Sequence, residues 1–91
     1  MIIASMIDFE IVCTNKLVAW YNEPGNADVI ATGITSDNVY VVWVCKTLQN
    51  YKALLGTTIA GDGVYAEYTY NGDKQELYED VYLKVTNNCF K

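Results

Sequence analysis

Ninety-one residues with six lysines, eleven acids, no arginine and no histidine carry a net charge of −5. Without arginine there is no bidentate clamp for phosphate, and without histidine there is no usual general base, imidazole metal ligand or pH switch. Direct binding of nucleic acid is disfavoured as well, because backbone binding needs a basic face. The length fits a single domain, 1–91. An apolar share of 52% is ample for a core and rich for a monomer, which points to apolar surface covered by a partner. The three cysteines, Cys13, Cys45 and Cys89, are odd in number and widely spaced. They form no disulfide framework or CxxC pair, so reduced thiols, no zinc site and a cytoplasmic setting are expected.

In chain order, Met1–Ile7 is apolar but lacks a basic leader, and Asp8 interrupts it, so neither a signal peptide nor a membrane span is expected. Residues 2–13 read as a first strand, with Ile7, Phe9, Ile11 and Cys13 at period two. Asn15 is the expected turn residue. Leu17–Glu23 reads as a second strand, closed by Pro24-Gly25. Asp28–Thr35 is a weaker third strand, in which Gly33 suggests a bulge. Val39–Cys45 is apolar on both faces, the pattern of a central strand covered on both sides. Lys46–Leu55 reads as a short helix, with Leu48, Tyr51 and Leu55 on one stripe and Gly56 as its stop. Thr57–Ala60 reads as a short strand, and Gly61-Asp62-Gly63 as the turn after it. The chain then closes in a hairpin about Asn71-Gly72, the pair favoured in a type I′ turn. Val64, Ala66, Tyr68 and Tyr70 share one face of its first strand. Leu77, Val81, Leu83 and Val85 form an apolar row on the return, and Glu79 in that row suggests a bulge near Glu79-Asp80.

The fold class that follows is α+β and β-rich: a single bent antiparallel sheet of five to seven strands with one short helix packed on it. Its core is expected mainly within residues 7–45 and the helix, and either curling of the sheet into a half-barrel or a homodimer would cover the second face of the central strand.

Residues 61–85 hold five of the eight tyrosines and six of the eleven acids, answered by Lys74 and Lys84. Asn71, Asp73 and Gln75 alternate as in a calcium loop, but the glycine sits wrongly and no acid closes the loop, so a plain turn is the better reading. Paired carboxylates could do acid–base work, and Glu67 and Glu76 could face each other across the hairpin, though a solvated strand face is the better reading. No base, nucleophile set or metal-ligand set accompanies them, so no catalytic residue, cofactor or metal is expected. Tyrosine interleaved with carboxylate suits a protein interface, where tyrosine gives large contact area at low entropy cost.

The expected function is a non-catalytic acidic binding protein that docks on a basic protein surface through Tyr65, Glu67, Asp73, Glu76, Tyr78, Glu79 and Asp80. Where that surface normally holds nucleic acid, the carboxylates would stand in for phosphates and inhibit its binding. Small inhibitors of phages and mobile elements, anti-CRISPR proteins among them, share this size and charge. The alternative is a homo-oligomeric structural or small-ligand-binding subunit with Trp20, Trp43 and Tyr40 as aromatic walls.

Overall fold

The computed structural model describes residues 1–26, 33–59 and 63–91 of the chain. One α-helix precedes one antiparallel sheet, in the order α1 (Met6–Asn22), a 3-10 turn (Ser36–Asn38), β1 (Val39–Thr47), β2 (Asn50–Thr57), β3 (Val64–Asn71) and β4 (Glu76–Leu83). The sheet is a meander, β1-β2-β3-β4, with each strand hydrogen-bonded to the next in sequence. The class is α+β and β-rich, with four strands among the described residues rather than five to seven.

Helix α1 occupies the residues read as the first two strands. Ser5 caps it, its Oγ accepting from the Asp8 amide at 3.1 Å, and Asp8 sits in the first turn, where a carboxylate favours the helix dipole. Its buried residues are Phe9, Cys13, Leu17 and Tyr21, one every fourth position. Phe9 and Cys13 satisfy period two and period four alike. So do Leu17 and Tyr21; what separates the two readings is that the alternating partners Ile7 and Ile11 are 68% and 54% exposed. Asn15, expected to turn the chain, lies within the helix.

The converse happens in β2. Leu48, Tyr51 and Leu55 have helical spacing, but Tyr51, Ala53 and Leu55 alternate, and the chain buries the alternating set. Leu48 instead turns the β1–β2 hairpin at φ 56° and is exposed. Pairing with strands on both sides fixes β2 as extended, which overrides its modest helix propensity. Strand β1, expected at the centre, is an edge strand, and Tyr40, Val42 and Trp43 on it are about half exposed.

The core lies between α1 and the sheet face formed by Tyr51, Ala53, Leu55, Val64, Ala66, Tyr68 and Tyr70, with Ile3 and Ile34 beside them. Phe9, Cys13, Leu17, Tyr21 and Ile34 come from residues 7–45 and Tyr51, Ala53 and Leu55 from the segment read as a helix, with Val64, Ala66, Tyr68 and Tyr70 added by the hairpin and none of the buried set by β1. Phe9 stacks on Tyr51 with ring centroids 5.1 Å apart. Burying a side chain such as Phe9 or Leu17 is worth about 1.5–3 kcal/mol, which holds on the sheet a helix crowded with β-branched residues. Asn22 ties the end of α1 to the approach of β1: its Nδ2 donates to the Ile34 carbonyl at 2.9 Å, and its Oδ1 accepts from the Ile34 amide at 2.8 Å. The Tyr70 hydroxyl donates to the Met1 carbonyl at 2.9 Å and accepts from the Ile3 amide at 3.3 Å, which straps the N-terminal segment to the sheet.

Residues 33–35 belong to no strand, and the remainder of the expected strand Asp28–Thr35 lies outside the described residues, as do Ala60, Gly61 and Asp62. Thr57 ends β2, and Thr58-Ile59 is not a strand.

Candidate functional site

The β3–β4 hairpin forms where expected, with a different turn. Asn71 is the last residue of β3, opposite Glu76, and the loop is Gly72-Asp73-Lys74-Gln75. Asn71 Oδ1 accepts from the amides of Asp73 and Lys74 at 3.0 and 3.2 Å, and positive φ falls on Gln75 at 54°. Glycine is needed at 72 for close approach: a Cβ there would collide with the Gln49 carbonyl oxygen. The Gly72 amide donates to Asn50 Oδ1 at 2.9 Å, and Gln49 Nε2 donates to Asp73 Oδ1, so the tips of the two hairpins interlock.

Strand register divides the predicted residues between two faces. On the α1 side, Tyr68 is opposite Glu79 and donates its hydroxyl to Glu79 Oε2 at 2.6 Å. That bond gives Glu79 a place in the regular ladder, and no bulge forms at Glu79-Asp80. Burial, then the bond to Glu79, pushes the Tyr68 phenol well above its ordinary value. Cys13 is buried nearby, and its thiol is pushed up to about 12 by burial first and then by Glu10 and Glu79.

The opposite face is open: α1 packs on the other side, and no other helix or strand among the described residues covers it. Three rows of side chains cross it. Tyr40, Gly56, Tyr65 and Tyr82 form the first, Trp43, Leu54, Glu67 and Asp80 the second, and Cys45, Lys52, Thr69 and Tyr78 the third. Tyr65 and Tyr82 stack with centroids 5.1 Å apart. A Cβ at Gly56 would come within 2.7 Å of the Tyr40 hydroxyl, so the glycine lets the Tyr40 ring lie down on β2. Beside it runs a trough of about 540 Å³ bounded by Tyr40, Val42, Leu54, Tyr65, Lys84 and Val85.

Charge is segregated across this face. Its β1 side is apolar, with Tyr40, Val42, Trp43, Cys45 and Leu54. Its β4 side holds Glu76, Tyr78, Asp80 and Tyr82, with Glu67 directly opposite Asp80. Two carboxylates in that position repel. Lys52 relieves Glu67 through a contact of 3.1 Å, partly exposed and so weak. The Tyr78 hydroxyl donates to Glu76 Oε2, and that bond raises its phenol above the ordinary value. Tyr82 is raised too, by desolvation first and then by Asp80 and Glu67.

Of the seven predicted residues, the open face therefore unites Tyr65, Glu67, Glu76, Tyr78 and Asp80. Glu79 turns to the core side, and Asp73 is held at the hairpin tip. Glu67 meets Asp80, not Glu76. Tyr82 was missed as a site residue, and its partnership with Tyr65 becomes legible only once the loop has four residues. Trp20 half-buries on α1 edge-on to Tyr21, with the sheet between it and the open-face residues Tyr40 and Trp43, so the three do not line one cavity.

A family model described as a family of unknown function, DUF6275, matches residues 10–91. The chain belongs to DUF6275. No curated protein and no solved structure matches it. The match begins inside α1 and takes in all four strands, so the whole open face of this DUF6275 member falls within it.

Among the described residues of the DUF6275 chain, no three of His, Cys, Asp and Glu are grouped as a metal ion would need. No described helix is long and apolar enough to cross a membrane. What the open face can do chemically is present stacked phenol rings beside carboxylates on a rigid ladder, an arrangement suited to cationic side chains and planar groups.

Proposed function

We propose that this protein is a non-catalytic binding protein that docks on a basic protein surface in the cytoplasm of the producing or infected cell. The observation that carries the reading is the β4 side of the open face, where Tyr65, Glu67, Glu76, Tyr78, Asp80 and Tyr82 stand together on paired strands. Tyrosines supply contact area already ordered by stacking, and carboxylates supply long-range attraction. A basic surface complements this half of the face, and a net charge of −5 steers such a partner toward it. Where the partner holds nucleic acid, the carboxylates occupy phosphate positions and the protein acts as a competitive inhibitor, in the manner of phage or mobile-element anti-defence proteins.

The test is binding of the wild-type chain to basic nucleic-acid-binding proteins, with competing DNA or RNA and rising salt as the levers. Glu67→Lys with Asp80→Lys abolishes the interaction, while Asp8→Lys and Glu23→Lys, on and beside α1, leave it intact. Binding that ignores the charges of the open face, or that nucleic acid fails to displace, refutes the reading.

A further inference from the structure

Among the described residues, strands β1 and β4 are the two edges of the sheet, and they are guarded differently. β4 carries Glu76, Glu79 and Asp80 within eight residues. Charges of this density are the usual protection of an edge strand. β1 carries a single charge in nine residues, Lys46, whose ammonium lies over the Tyr51 ring of its own chain, 5.7 Å from the centroid. The rest of β1 reads VYVVWVC and then threonine, with Tyr40, Val42 and Trp43 half exposed. A long, apolar, nearly uncharged edge is a template for another strand.

We propose that β1 pairs antiparallel with β1 of a second copy of this chain, joining two four-stranded sheets into one of eight strands. Charge selects both the edge and the occupant. Two copies each carry −5, so a pairing is favourable only where the acids stay apart. Joined at β4, the acids of the two copies would face each other about 5 Å apart, one strand spacing. Joined at β1, the two β4 strands stand seven spacings apart, about 34 Å. That is several Debye lengths at physiological salt, so the repulsion is screened. A basic partner gains nothing at β1, because the acids that attract it are on the far side of the face. A two-fold pairing also closes on itself, whereas β1 against β4 of the next copy would propagate without end.

The bulge sets the register. β1 slips against β2 between Val41 and Trp43, leaving Val42 out of the ladder and Trp43–Thr47 as the longer regular run. A two-fold axis through the middle of that run sets Cys45 opposite Cys45 of the second copy. Trp43 then faces Thr47, Val44 faces Lys46, and no two charges meet. Side chains on the open face meet others on the open face, so the two docking halves lie at opposite ends of one continuous surface. The pairing uses residues distinct from the docking half and stands independently of the basic partner.

The test is the molar mass of the purified full chain by light scattering and sedimentation, across roughly 1 μM to 1 mM. A concentration-dependent dimer is expected. Cys45→Lys, which sets two ammonium groups at the axis, shifts it to monomer, while Tyr82→Lys, on the same face at the far edge, leaves it dimeric. Far-ultraviolet dichroism and thermal melts of both variants show that the fold persists, since both positions are exposed. In a Cys89→Ser background, a short homobifunctional maleimide joins the two Cys45 thiols, and the buried Cys13 does not compete. A monomer throughout overturns the proposal. So does a dimer that breaks at Tyr82→Lys but not at Cys45→Lys, or one that never cross-links at Cys45. Protection of the β1 amides from exchange only when a different protein is added assigns the edge to that protein instead.

Discussion

Raising the pH should weaken the hold of α1 on the sheet through one thiol, and Cys13→Ala should abolish that dependence. Cys13 is fully buried under α1, and its thiol rises from the ordinary 9.0 to about 12, chiefly by burial and then by Glu10 and Glu79. A group whose folded value is raised favours the folded state fully below its unfolded value and loses that contribution as pH climbs through the interval. The window therefore opens at pH 9.0 and closes near 12. At about pH 10 the unfolded thiol is mostly ionised and the folded one is not, a loss of about 1.4 kcal/mol relative to neutral pH. Replacing the buried sulfur by hydrogen costs about 1 kcal/mol at neutral pH. The two effects cross: Cys13→Ala is the less stable protein at neutral pH and the equal or more stable one at about pH 10. Urea unfolding followed by far-ultraviolet dichroism, under reducing conditions, reads this directly. Parallel pH profiles for the two proteins would show that the thiol ionises as readily in the folded state as in the unfolded, and would refute the reasoning.

Leu17→Ala should destabilise by about 2–5 kcal/mol and Ile11→Ala by no more than about 0.5 kcal/mol, because Leu17 is fully buried and Ile11 about half exposed. Equal costs in a denaturant titration would contradict the helical stripe. Gly72→Ala should cost about 1–3 kcal/mol by pushing apart the interlocked hairpin tips, and an unchanged melting temperature would show that they do not touch. Tyr68→Phe should cost about 1–2 kcal/mol through the lost bond to Glu79, while Tyr78→Phe on the exposed face leaves the melting temperature unchanged. Similar losses for both would remove the distinction between core and open face.

The hairpin of β3 and β4 was legible because alternation and a turn pair agreed there: Val64, Ala66, Tyr68 and Tyr70 do face the core. Its partners were not legible, since a loop of four residues rather than two resets every cross-strand pair, and Glu67 met Asp80 for that reason. The N-terminal helix was misread because Phe9 and Cys13 fit both periods and Ile7 and Ile11, which are exposed, looked like members of a buried row. β2 was misread in the opposite sense, its Leu48, Tyr51 and Leu55 spacing suggesting a helix where strand pairing on both sides prevails. Whether an apolar strand sits at a sheet's centre or its edge is a fact of topology, and β1 shows that composition alone does not record it.

The order of elements has a consequence for biosynthesis. α1 leaves the ribosome before any strand it rests on. The partners of Phe9, Cys13, Leu17 and Tyr21 arrive with β2 and β3, ending at Asn71. From the end of α1 that is about 50 residues of further synthesis, several seconds at roughly 5–20 residues per second. For that interval the helix segment displays its core stripe and its outer isoleucines together, before the strands that bury the stripe have been made. The nascent chain is then at its stickiest, and a holding chaperone would find its natural target in residues 6–22.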